Sequence, residues 1–127
     1  MKKWIPVILS ALLLTGCGAS AQDNLGYRQI TMEEAAKRME QEPAAIILDV
    51  RRPDEYQAGH IPGAINIPNE TIGREELPDK DQTILVYCRS GNRSKQASEK
   101  LAALGYTQVL EFGGILDWPG QVVTEGA

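Results

Sequence analysis

Two short stretches constrain the fold of this chain more than anything else in it. Residues 44–50 (Ala-Ala-Ile-Ile-Leu-Asp-Val) and 83–87 (Thr-Ile-Leu-Val-Tyr) are apolar almost without a break, and only Asp49 interrupts the first. A strand with one wet face alternates polar and apolar residues, whereas a continuous apolar run is covered on both sides. Segments of helical period lie around these runs. Thr31 with Glu34 three residues on forms a capping box that opens a helix through about Glu40, with Met32, Ala35, Ala36 and Met39 on one face and Pro43 as the stop. Pro53-Asp54-Glu55-Tyr56 suits the first turn of a short helix that Gly59 can end. From Ser94 onward a further helix is predicted, with Ala97, Leu101 and Leu104 on one face and Gly105 at its end.

Shorter strands are predicted over 27–30, 64–67 and 109–110, one helical turn within the polar stretch 69–82, and a glycine-led turn into a short helix over 113–118. Doubly covered strands that alternate with amphipathic helices make a parallel sheet with helices on both faces, which is an α/β domain. The length, 127 residues, suits one such domain. Seventeen acidic against thirteen basic residues leave a net charge of −4, which argues against a nucleic-acid partner held by a basic surface. Two cysteines and one histidine supply neither a disulfide framework nor a zinc site, and no metal or cofactor is implied.

The N-terminus reads as an address. Met1-Lys2-Lys3 precedes an almost wholly apolar run over 4–14, too short to span a bilayer but matched to the hydrophobic region of an export signal. Leu14-Thr15-Gly16-Cys17 resembles a bacterial lipobox, in which Cys17 would be acylated. The expected organisation is a signal peptide over 1–16, a tether over 17–26, the domain over 27–122 and a C-terminal tail over 123–127. The protein would then face the periplasm from a membrane it touches only through its lipid. The alternative is ordinary cleavage after Ala21, in the small-residue site Ala19-Ser20-Ala21, giving a soluble periplasmic form. In both cases Cys88 is a lone thiol in an oxidising compartment.

Cys88-Arg89-Ser90-Gly91-Asn92-Arg93-Ser94 joins the strongest strand to the best-formed helix. Ligands of parallel sheets bind where strand C-termini meet helix N-termini. Unpaired N–H groups and the helix dipole favour an anion there, and Arg89 and Arg93 add permanent positive charge. Gly91 permits the bend. A thiol in that field ionises more readily than free cysteine at about 8.5, which makes Cys88 a candidate nucleophile toward an anionic substrate.

The segments Leu48-Asp49-Val50-Arg51, Glu55-Tyr56, 59–68 (Gly-His-Ile-Pro-Gly-Ala-Ile-Asn-Ile-Pro) and 86–94 (Val-Tyr-Cys-Arg-Ser-Gly-Asn-Arg-Ser), with Gly113-Gly114 and Trp118, resemble the single-domain rhodaneses. The resemblance covers nearly all of residues 29–118. It implies a five-stranded parallel sheet flanked by helices, and a ping-pong sulfurtransferase cycle through a persulfide on Cys88. Backbone N–H groups over Arg89, Ser90, Gly91, Asn92 and Arg93 would cradle the persulfide, the guanidinium groups of Arg89 and Arg93 would neutralise substrate oxygens, and Arg51 would help bind substrate. The implied partners are a small sulfur donor such as thiosulfate and a thiol or cyanide acceptor, with a protein acceptor as a further possibility.

Two rival functions fit the same residues. One is a persulfide carrier that does not turn over. The other is an arsenate- or phosphate-processing enzyme, but those use a loop with five residues between Cys and Arg, and here four lie between Cys88 and Arg93. The shorter ring suits a single sulfur atom. Elsewhere the plainer reading prevails: His60 lies in a turn, Asp49 pairs with Arg51 as a brace, Trp118 packs, Met32 and Met39 are core, and Arg52, Arg74, Lys95 and Glu75-Glu76 are surface.

Overall fold

The computed structural model describes residues 26–74 and 77–124; the signal peptide, Cys17, nearly all of the tether, Glu75-Glu76 and the tail beyond Thr124 lie outside the described residues. The elements, in order, are β1 (Arg28–Gln29), α1 (Met32–Gln41), β2 (Ile46–Asp49), α2 (Pro53–Ala58), β3 (Ile65–Asn66), β4 (Thr83–Cys88), α3 (Asn92–Ala103) and β5 (Gln108–Gly114), with 3-10 turns at Asn69–Thr71 and Ile115–Asp117. One sheet runs in the order β1-β5-β4-β2-β3, and every neighbouring pair is parallel.

The central position of β4 explains its apolar sequence. All six of its residues are buried, and period-two alternation sends them into two cores. Ile84, Val86 and Cys88 pack with Ala97 and Leu101 of α3. Leu85 and Tyr87 pack with Ala35 of α1, and Met32 and Met39 of α1 and Tyr56 of α2 border the same core. Helices therefore cover both faces, as the apolar runs require. The Thr31 side chain caps α1 by accepting the Glu34 N–H at 3.0 Å.

Four local expectations are corrected. Helix α3 starts at Asn92 rather than Ser94, because Gly91 takes a left-handed φ of 110° and turns the loop straight into the helix without a side-chain cap. Leu104 is the C-cap of α3 and 42% exposed, while the buried face is Ser94, Ala97, Ser98 and Leu101; the last apolar residue falls past the final turn that covers the sheet. Strand β5 is far longer than 109–110 and includes Gly113 and Gly114. It pairs Glu111 with Val86 and Gly114 with Cys88, so it carries one extra residue there, a bulge beside the loop. A buried glutamate and two glycines look like the end of a strand, but the bulge absorbs them. Val123, assigned by sequence to the tail, pairs antiparallel with His60, each donating its N–H to the other's carbonyl at 2.8 Å.

Candidate active site

Cys88 is the last residue of β4, so the sheet itself delivers its thiol to the C-terminal edge, and α3 begins only four residues later. The side chain is 1% exposed and turned toward the α3 face. Its Sγ accepts the Gly91 N–H at 3.0 Å and lies 3.4 Å from Ser94 Oγ. Gly91 is buried, and its left-handed backbone is what lets the N–H fold back onto the sulfur.

The loop is anchored to the bulged end of β5. A Cβ on Gly114 would stand 2.1 Å from the Arg89 carbonyl oxygen, so only glycine allows the two backbones to meet. Leu116 donates its N–H to the same oxygen at 3.2 Å. Arg89, Ser90 and Asn92 are exposed. Arg89 forms no ion pair among the described residues, which leaves its charge available at the mouth of the loop.

Arg93 has a partner that the sequence did not announce. Its Nη1 and Nη2 donate to Oε1 and Oε2 of Glu55 on α2 at 2.8 and 3.2 Å. Hydrogen bonding to Arg93 holds the Glu55 carboxyl down at about 2 from 4.5, and the same contact, with the charge of Cys88 contributing, raises Arg93. The structure thus pairs this guanidinium with a carboxylate instead of presenting it free to a substrate.

Arg51, expected to help bind substrate, is buried and bound elsewhere. Its Nη2 donates to Asp49 Oδ2 at 2.7 Å and to the Gly59 carbonyl at 2.6 Å, and its Nε and backbone N–H also donate to the Asp49 carboxylate. Burial opposes its charge, but the bonds and charge of Asp49 outweigh burial and raise its pKa. The pair braces β2 against the turn at Gly59, which is the role read for Asp49. His60 is likewise structural: its Nδ1 is 2.8 Å from the Tyr56 carbonyl and its ring stacks on Tyr56 at 3.8 Å. Trp118 packs, its ring tilted against Phe112 at 5.9 Å.

Two residues at the sulfur escaped the sequence reading as site residues. Ser94, fully buried in the first turn of α3, contacts Sγ and donates to Glu111 Oε2 at 2.5 Å. Glu111, 2% exposed, also accepts the Gly113 N–H at 3.0 Å and Gln29 Nε2 at 3.3 Å. The available signal was an acidic residue alone among Val109, Leu110 and Phe112.

A five-stranded parallel sheet with a cysteine at the end of its central strand, folded under the N-terminus of the next helix, defines an α/β domain of the cysteine-loop kind. The chain belongs to the rhodanese-like domain family, whose model matches residues 31–120. It is 45% identical to thiosulfate sulfurtransferase PspE of Escherichia coli over 55% of this chain and 70% of that protein. It is 38% identical to a sulfurtransferase of Allochromatium vinosum over 71% of this chain and 86% of that one. The crystal structure of a rhodanese-related protein from Thermoplasma volcanium superposes with a TM-score of 0.67 at 36% identity, covering 78% of this chain and all of that one.

Proposed function

We propose that the protein is a sulfurtransferase that moves a sulfane sulfur from thiosulfate, or a similar donor, to a thiophilic acceptor through a persulfide on Cys88. The Cys88 thiolate attacks the outer sulfur of thiosulfate; the S–S bond of the donor breaks, and sulfite leaves with the bonding pair. The acceptor, cyanide in an assay or a thiol in the cell, attacks the terminal sulfur and returns Cys88 as thiolate. The observation that carries this reading is the Gly91 N–H aimed at Sγ from a loop beneath the α3 N-terminus. Arg89 supplies the open positive charge for the donor's sulfonate, and loop N–H groups over 89–93 receive the terminal sulfur as it is added. Cys88 is 1% exposed, so donor contact requires the loop around it to open locally. Four residues between Cys88 and Arg93 favour a single sulfur over a phosphoryl or arsenyl group.

The same proposal places the domain outside the cytoplasm, anchored through acylated Cys17. Intact-mass spectrometry of native protein tests the anchor. With thiosulfate it also tests the chemistry: one added sulfur atom, and thiocyanate formation from cyanide, both absent in Cys88→Ser. An adduct without turnover would instead identify a persulfide carrier, and no adduct at all would overturn the reading.

A further inference from the structure

Behind the sulfur stands a buried carboxylate with no basic partner among the described residues. Glu111 is 2% exposed and forms no ion pair among the described residues. Burial of a carboxylate is costly unless hydrogen bonds compensate it, and Glu111 has three: Gly113 N–H, Gln29 Nε2 and the Ser94 hydroxyl. Ser94 has a single proton, and Glu111 Oε2 at 2.5 Å is its nearest acceptor. The Ser94 oxygen therefore faces Cys88 Sγ, 3.4 Å away, with a lone pair rather than a proton.

We propose that Glu111, acting through Ser94, is a positioning residue that disfavours negative charge on Cys88 Sγ and so drives that charge outward to the terminal sulfur of the persulfide. This rests on the reading of Cys88 as the sulfur nucleophile. In the thiol, S–H donates to Ser94 Oγ and every group is satisfied. In the thiolate, the charged sulfur meets the serine lone pair with a carboxylate directly behind it, and like charges at this range oppose ionisation. Loading relieves the conflict. The thiolate and thiosulfate become a persulfide anion and sulfite, total charge is unchanged, and the negative charge moves one S–S bond away from Glu111 toward the loop N–H groups and Arg89.

The remaining charged and titratable groups around the pair come from β1, α2 and α3. Tyr27, just ahead of β1, is raised by burial and by the charges of Glu111 and Glu99. Arg93 interacts with Cys88 from α3 and is itself neutralised by Glu55. Opposing Glu111 at the sulfur are the Gly91 N–H and the α3 dipole.

The test is the ultraviolet absorbance of the thiolate against pH in the full chain, with Cys88→Ser as the blank for tyrosines and for Cys17. Glu111→Gln keeps an oxygen for Ser94 and Gly113 and removes only the charge, and its midpoint is expected about one pH unit below wild type. Ser94→Ala removes the lone pair at the sulfur and is expected to lower the midpoint as well. An unmoved midpoint in Glu111→Gln overturns the proposal, and so does a raised one in Ser94→Ala, which would mean that the hydroxyl donates to the sulfur. At a pH above both thiolate midpoints, in mixtures of thiosulfate and sulfite, the persulfide fraction seen by mass should fall in Glu111→Gln relative to wild type. Wild-type protein that takes up no sulfur would overturn the sulfurtransferase reading itself, a result separate from the thiolate midpoints.

Discussion

Arg93 and Glu55 meet side by side, Nη1 on Oε1 and Nη2 on Oε2, and the contact ties the first turn of α3 to α2 at the rim of the cysteine loop. A guanidinium held this way is oriented by two bonds at once, and most of its charge is spent on its partner. The geometry makes Glu55 as much a determinant of the rim as Arg93.

The pair gives the fold a pH dependence of definite sign. Glu55 is held at about 2 against 4.5 for a free glutamate, so the folded state binds its proton less tightly than the unfolded state. Its contribution is complete above 4.5 and is lost as the pH falls toward 2. Glu55→Gln is expected to lower stability at neutral pH by about 1 kcal/mol or less, since the pair is partly exposed. Urea unfolding of both proteins across acidic pH should show that difference closing as the pH drops.

Opposite kinetic effects are expected from the two halves of the pair. Arg93→Ala leaves an unpaired carboxylate beside the loop and should lower kcat/KM for thiosulfate by about tenfold, or about 1.4 kcal/mol, with the circular dichroism spectrum unchanged. Glu55→Gln releases the Arg93 charge toward the substrate and should lower KM for thiosulfate. Steady-state thiocyanate formation measures both.

Asp49 and Arg51 form the buried counterpart. Removal of one partner strands the other charge away from water, so Asp49→Ala is expected to cost about 3–5 kcal/mol. Thermal unfolding should show it as the largest loss among the variants considered, with a smaller one for Asp49→Asn, which keeps part of the hydrogen bonding.

Gly114 has no room for a side chain. In Gly114→Ala the new Cβ meets the Arg89 carbonyl oxygen, so the bulge or the loop must move. The expected result is a loss of about 3 kcal/mol together with loss of sulfur transfer, although Cys88 is still present. A variant with wild-type melting temperature and turnover would show that the loop does not depend on this contact.

The sheet was legible because burial on both faces leaves a mark in consecutive residues: 44–50 and 83–87 are apolar whatever they pack against. The loop was legible for the same reason, since Cys88, Gly91 and Arg93 lie within six positions and the helix after them follows from its own period. Strand β5 was less so. Glu111 and the two glycines resemble a strand's end, and only the bulge opposite Val86 and Cys88 accounts for them.

The amino-acid order alone determined that a parallel sheet forms and that a cysteine loop sits at its edge, because hydrophobic period and turn chemistry act between near neighbours in the chain. It could not determine what each charge in that loop faces. Glu55 comes to Arg93 from 38 residues away, and Glu111 to Ser94 from 17. Those pairings exist only once α3 is laid against α2 and β5, since an ionic or hydrogen-bonded contact acts over a few ångströms and leaves no periodic trace along the chain.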